Sequence, residues 1–275
     1  MPAQGIDLPG VRNARELGGY RIGERTVRKG VLLRSGSLTG ATEEARKRLA
    51  EEYRVQTVAD FRMSEEAAKS PDPEIPGARK VHLPMLETAD MNTPDPEFVA
   101  LIADPAIDKK TKFEATWQRR IIDEQVYVDF LRKERGKSAI RGFFGALLET
   151  GEDRAVLWHC RDGKDRTGLA AMLLLSALGA DRETVLADYM LTNEFNRDIV
   201  EEAAKTAEEW RMPPEMADLY LFMAGGVIRR YMECALDYLD REYGGPAGYL
   251  EKEIGIDREK RERLQAKYLT REEKN

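Results

Sequence analysis

The chain has 275 residues, 34% of them charged and 42% hydrophobic, with a formal net charge of -6. That length fits one large domain or two small ones, and the acidic balance argues against a general nucleic-acid or anionic-membrane binder. With two cysteines and two histidines, a disulfide framework is not needed and a structural zinc site is not expected.

The segment Met1 to Gly10 has no basic stretch followed by an apolar core, so no signal peptide is read there. The longest apolar run, Leu169 to Leu178, is interrupted by Ser176 and is too short to span a bilayer. These readings place the chain in the cytoplasm, although leaderless export would leave no trace.

Asn13 to Tyr20 carries a Gly18-Gly19 pair and reads as a turn. Val31 to Leu33 reads as a strand, Thr42 to Tyr53 as an amphipathic helix with a Thr-Glu-Glu start, and Val55 to Ala59 as a strand ending at Asp60-Phe61-Arg62. A short helix from Ser64 is stopped by prolines 71, 73 and 76, and Lys80 to Leu83 is a further strand. Glu87 to Lys112, rich in Pro, Asp and Thr, is expected to be an irregular excursion. Phe113 to Lys133 and Ser138 to Thr150 have helical spacing.

Ala155 to Trp158 is a compact apolar strand, and Asp165 to Leu178 is a helix apolar nearly all round, closed by Gly179 as a C-cap. Helices are expected over Asp181 to Asn193, Arg197 to Trp210 and Pro214 to Tyr243, then a break at residues 244–248 and a short helical end. Strands alternating with helices predict a single α/β domain over residues 1–275, a central, largely parallel sheet flanked by helices, with helical insertions.

The chemistry concentrates between that strand and the buried helix, in His159-Cys160-Arg161-Asp162-Gly163-Lys164-Asp165-Arg166-Thr167-Gly168. Gly163 permits unusual dihedrals, and successive N–H groups of Arg161 to Arg166 can point inward and add to the positive end of a helix. This makes a phosphate cradle. Cys160 sits at its base, and Arg166, six positions on, can chelate two oxygens through its planar fork. The cradle is expected to hold Cys160 as a thiolate that attacks phosphorus and forms a phosphocysteine. Thr167 can ease sulfur's departure, and His159 positions the loop. A structural cysteine would explain Cys160 alone. A nucleotide-binding loop of the Walker type would need Ser or Thr where Asp165 stands.

The loop resembles the His-Cys-x5-Arg-Thr signature of the cysteine-dependent protein tyrosine phosphatases, and is most similar to a bacterial and fungal subgroup that also hydrolyses phosphoinositides. The resemblance extends to Asn13-Ala14-Arg15-Glu16-Leu17-Gly18-Gly19, Leu33-Arg34-Ser35, Asp60-Phe61-Arg62 and Tyr189-Met190-Leu191-Thr192-Asn193. It implies a tyrosine-phosphatase-like fold, a phosphoprotein or phosphoinositide substrate, a supporting role for Lys164 toward additional phosphates, and a helical lid over residues 195–240. No cofactor or metal is implied.

No Trp-Pro-Asp sequence is present to supply the acid. Asp165, inside the loop, and Asp60, at a strand end, are the candidates, ahead of Asp162; an N-cap and an Arg62 ion pair are their respective structural alternatives. Arg34 offers a further anion contact or an ordinary surface charge. Phosphotyrosine, and after it phosphoserine or phosphothreonine, is the first substrate class. The competing readings are a phosphate-binding pseudophosphatase, an arsenate reductase and a sulfurtransferase.

Overall fold

The computed structural model describes residues 4–90 and 95–270. Among these residues eight strands form in chain order: β1 (Gln4–Gly5), β2 (Arg15–Glu16), β3 (Arg21–Ile22), β4 (Arg25–Thr26), β5 (Leu32–Ser35), β6 (Val55–Asp60), β7 (Arg79–His82) and β8 (Ala155–His159). Six of them make one sheet in the order β1-β2-β5-β8-β6-β7, and β3 with β4 makes a separate two-stranded ribbon. The four strands β5, β8, β6 and β7 are mutually parallel, while β1 and β2 run antiparallel at one edge.

The central strand β8 is buried along its whole length. Its side chains alternate between two cores, as a pleated strand requires. Val156 and Trp158 face the larger one, with the helices Gln125–Arg132, Glu134–Glu149, Asp165–Leu178 and Arg229–Tyr243. Ala155 and Leu157 face the smaller one, with Leu38, Ala45, Leu49 and Ile75. Helices therefore cover both faces, the condition under which a parallel sheet is stable.

The register sets the site. His159 is paired with Ser35 on one side and with Asp60 on the other. The carboxyl ends of three adjacent strands are thus level, and the segments that follow them meet at one edge of the sheet, where open α/β folds place their ligands. Behind that edge the helix Asp165–Leu178 anchors the loop. Leu169, Leu173, Leu174 and Leu175 are fully buried, each contributing roughly 1.5–3 kcal/mol. Gly179 ends it at φ 101° as the expected left-handed cap.

Several expectations are corrected. Outside residues 91–94, which are not described, the stretch Glu87 to Lys112 is not irregular: it contains the helix Pro96–Ala103 and the start of Lys109–Gln118. Asp95 and Asp108 cap those helices through their carboxylates, so the Pro and Asp residues mark helix starts there. The helical run Phe113 to Lys133 breaks after Gln118, where Arg120 takes φ 49°. Pro214 to Tyr243 is two helices, Pro214–Ala224 and Arg229–Tyr243, parted at Gly225 with φ 133°. The turn at Asn13 to Tyr20 holds β2, whose two residues are too few to show a period.

Candidate active site

A loop whose N–H groups converge must turn its carbonyls outward, and buried carbonyls need donors. Here the surrounding chain supplies them one by one. The His159 carbonyl accepts from the Phe61 N–H at 2.9 Å, and that of Arg161 from the Ser37 N–H at 2.9 Å. The Cys160 carbonyl faces His159 Nδ1 at 3.2 Å. Asn13 Nδ2 donates to the carbonyls of Asp162 and Gly163 at 3.2 and 2.9 Å. Arg34 Nη2 also donates to that of Gly163, at 2.9 Å. The indole of Trp158 donates to the Thr167 carbonyl at 3.1 Å. By contrast, none of the N–H groups of Arg161 to Arg166 donates to another described residue. Among the described residues they are left unpaired.

Gly163 makes the turn at φ 69°. A Cβ there would lie 2.5 Å from the Ser35 carbonyl and from the Gly36 nitrogen. Only glycine meets both the dihedral and the space.

The outer brace is itself braced. Arg15 and Arg34, both fully buried, share the carboxylate of Asp188 on the helix Arg182–Phe195. Tyr20 donates to the same carboxylate at 3.2 Å. Burial would push Asp188 toward its neutral form, but Arg34 and Arg15 more than offset that and hold it below the usual carboxylate range. Burial, with Arg34 beside it, lowers Arg15 to about 10, so it stays charged at neutral pH. Arg34 therefore braces the loop from behind and is not a surface arginine.

Replacing Asp188 leaves two buried guanidinium groups without their shared anion. Asp188→Asn is expected to cost about 3–5 kcal/mol, read as a lower urea midpoint. Because the folded Asp188 titrates below its unfolded value near ~3.9, its stabilisation is present above that pH and is lost as the pH falls through the folded value. The variant should therefore lose less stability than the parent between pH 7 and pH 3.

Inside the cradle, Cys160 is 1% exposed at the end of β8. Arg166 is bound on one edge by Glu66, with Nη1 to Oε2 at 2.6 Å and Nη2 to Oε1 at 3.2 Å. Nη1 also donates to the Phe61 carbonyl at 3.3 Å. A guanidinium has five N–H donors. Those contacts use both of Nη1 and one of Nη2, which leaves Nε–H and the second Nη2–H, adjacent on the opposite edge. That pair has the fork spacing of two phosphate oxygens. Burial disfavours the charge on Arg166, but the Cys160 sulfur and Glu66 outweigh it and keep the guanidinium firmly protonated. Thr167 Oγ1 is buried without a hydrogen-bond partner. The Arg161 side chain turns outward and pairs with Asp162 at 2.9 Å, so these two residues offer the cradle their backbone.

Asp165 begins the helix, and its side chain does not cap it. Its Oδ1 accepts from the Tyr127 hydroxyl at 2.6 Å and from Lys164 Nζ at 3.0 Å. Lys164 is 3% exposed. Its ammonium lies 3.6 Å from the centre of the Phe222 ring, which comes from the expected lid segment.

Asp60 is placed differently. Both its oxygens accept from Arg62, at 2.9 and 2.8 Å, and the residue is fully buried. Arg62 Nη2 also meets Asp72 at 2.6 Å. Asp72 in turn lies 3.2 Å from His159 Nε2. Donor atoms of Asp60, Asp72 and His159 lie within 4.8 Å of one another, but Arg62 already occupies the space between the carboxylates as their counter-ion. Burial opposes the charge on Asp72, yet His159 and Arg62 keep it ionised. The group supports the loop through His159.

The profile of the tyrosine phosphatase family matches residues 6–270. The chain belongs to the tyrosine phosphatase family. Among its relatives, a Cupriavidus necator protein named for tyrosine-protein phosphatase activity is 30% identical over 90% of this chain and 83% of its own. The triple specificity protein phosphatase PtpB of Mycobacterium tuberculosis is 28% identical over 91% and 94%. Among solved structures, TpbA of P. aeruginosa, in complex with pTyr, aligns over 82% of this chain and 96% of its own, at 19% identity and TM-score 0.31. That likeness is too slight to carry an argument; the fold rests on the sheet order and layering above.

The protein is thus a phosphatase of this family, and its sheet is α/β and mostly parallel, as expected. Four residues that organise the site were not singled out from sequence. Glu66 read only as a helix-start signal. Asp72 lies in a proline-rich stretch, and Tyr127 and Asp188 look like ordinary helix positions. No local pattern marks them: Tyr127 meets Asp165 across 38 residues, Glu66 meets Arg166 across 100 and Asp188 meets Arg15 across 173, while Asp72 reaches Arg62, 10 residues away, only once the proline-rich stretch folds back. Among the described residues no helix is long and apolar enough to cross a membrane.

Proposed function

We propose that this phosphatase hydrolyses phosphomonoesters through a phosphocysteine on Cys160, with phosphotyrosine as its first substrate class. The observation that carries the reading is the set of unpaired N–H groups from Arg161 to Arg166 above a buried Cys160. The cradle and the free edge of Arg166 bind the phosphoryl oxygens, and Cys160 Sγ attacks phosphorus opposite the leaving oxygen. As the P–O bond breaks, Asp165 gives its proton to that oxygen. Thr167 then donates toward sulfur. Asp165, now a carboxylate, takes a proton from water, whose oxygen attacks phosphorus; the S–P bond breaks and inorganic phosphate leaves. Asp60 acts from behind the loop, with both oxygens held by Arg62.

A wider substrate range is supported by Lys164, a second cation beside the cradle, and by the name of the mycobacterial relative. In this reading Lys164 turns from Asp165 to an additional phosphate of a phosphoinositide, and residues 195–240 act as a lid through Phe222. A metal-free panel of phosphotyrosyl and phosphoseryl peptides and phosphoinositide vesicles tests it. Lys164→Ala should lower phosphoinositide turnover by about tenfold more than phosphotyrosine turnover, the worth of one charge-assisted contact. Equal losses on both would remove the phosphoinositide role from Lys164.

A further inference from the structure

The hydroxyls of Tyr127 and Tyr189 form a buried chain that ends on Asp165. Tyr127 is fully buried on the helix Gln125–Arg132, and Tyr189 is 1% exposed on Arg182–Phe195. Their oxygens are 2.9 Å apart, and Tyr127 lies 2.6 Å from Asp165 Oδ1. Each phenol has one proton to give. A carboxylate can only accept, so Tyr127 spends its proton on Asp165, and Tyr189 must then donate to Tyr127. Donation therefore runs one way, from Tyr189 through Tyr127 to Asp165.

The break between the helices Pro214–Ala224 and Arg229–Tyr243 is clamped to the end of the helix that carries Tyr189. Asn193 exchanges two hydrogen bonds with Val227, at 3.0 and 2.8 Å, and Asn196 donates to the Gly225 carbonyl at 2.9 Å. The helix that carries Tyr189 is thus tied to the lid break, and Tyr127 to the loop.

Resting on the assignment of Asp165 as the general acid, we infer that Tyr127 is a positioning residue that fixes which oxygen of Asp165 delivers the proton, with Tyr189 holding Tyr127 in place. Oδ1 accepts from Tyr127 and also from Lys164. Among the described residues Oδ2 is touched only by Lys164, at 3.0 Å, and becomes the proton-bearing oxygen when Lys164 turns away toward the bound substrate. Tyr127 keeps its own proton throughout. Burial, and next to it Asp165, hold its phenol far above the ordinary range, so it is a fixed donor and not a second acid. Without it the carboxyl can rotate and present either oxygen, and delivery loses its geometry.

The test uses kcat/KM across a series of aryl phosphates with leaving groups from p-nitrophenol to phenol, because kcat/KM reports the first, P–O cleaving step. A poor leaving group needs the proton and a good one does not. Wild type should show little dependence on the leaving group, and Asp165→Asn a steep one. Tyr127→Phe should fall between them, losing about tenfold on phenyl phosphate and less than about threefold on p-nitrophenyl phosphate. Tyr189→Phe should give the same pattern, weaker. Inhibition by inorganic phosphate should be unchanged in both tyrosine variants.

A loss in Tyr127→Phe that is equal across the series, with Asp165→Asn steep, would overturn the positioning role and leave the acid assignment standing. A flat Asp165→Asn series would overturn the acid assignment itself. Should Tyr127→Phe fold poorly, the Tyr189→Phe series decides alone: steepening supports the chain, and an unchanged slope overturns it.

Discussion

Cys160→Ser should abolish turnover while leaving the fold and phosphate binding in place. The substitution is nearly isosteric at a residue 1% exposed, and the cradle is made of backbone N–H groups that it does not touch. What it removes is the nucleophile. A serine hydroxyl at this position has no base within the described contacts to take its proton: His159 Nδ1 faces the Cys160 carbonyl and Nε2 faces Asp72. The loss of kcat/KM on p-nitrophenyl phosphate should be at least about 10⁴-fold, the scale seen when a covalent nucleophile is removed. Urea unfolding should be within about 0.5 kcal/mol of wild type, and phosphotyrosine should still bind. Retained turnover in the folded variant would mean that the cradle serves a different nucleophile.

Gly163→Ala should be nearly as damaging, for a reason that has nothing to do with chemistry at sulfur. The residue holds φ 69°, and an added Cβ would stand 2.5 Å from the backbone of Ser35 and Gly36. Backbone atoms of β5 cannot move aside without disturbing the register that aligns Ser35 with His159. Left-handed strain and overpacking each cost about 1–3 kcal/mol, so the sum is about 2–6 kcal/mol. Relief by moving the loop would turn its N–H groups out of convergence, and activity should fall by more than about 10²-fold, since a misplacement near ~1 Å has that effect. Gly77→Ala is the control. Gly77 has φ 79° but open space around it, so it should pay only the backbone strain and leave activity intact. A Gly163→Ala enzyme as stable and active as the control would show that the loop tolerates another path.

The loop itself was legible from sequence because its parts are contiguous: an apolar strand, a glycine, an arginine six positions after the cysteine and a buried helix. The same holds for the parallel strands β5, β6 and β8, whose apolar residues stand next to a turn, while β7 is a polar edge strand of sequence Arg-Lys-Val-His. What supports the loop was less legible. Arg34 and Asp60 were seen, but their surroundings could not be. Arg34 is buried because Asp188, 154 residues later, neutralises it. Asp60 is buried because Arg62 and the Asp72 network surround it. A residue's role as acid or as brace is decided by such partners, and the chain brings them together only on folding. The helix Pro96–Ala103 and the start of Lys109–Gln118 were missed for a different reason: aspartate and proline are helix-start residues as well as loop residues, and the run between them is too short for its period to decide.

The central claim is that phosphate passes through Cys160. The most direct measurement is acid quench of wild type during turnover of a phosphoryl-labelled aryl phosphate, followed by peptide mapping of the label. The label should be found on Cys160 alone, accumulate in Asp165→Asn, whose second step lacks its base, and be absent from Cys160→Ser. Label on another residue, or unlabelled enzyme during steady hydrolysis in both wild type and Asp165→Asn, would contradict the phosphocysteine.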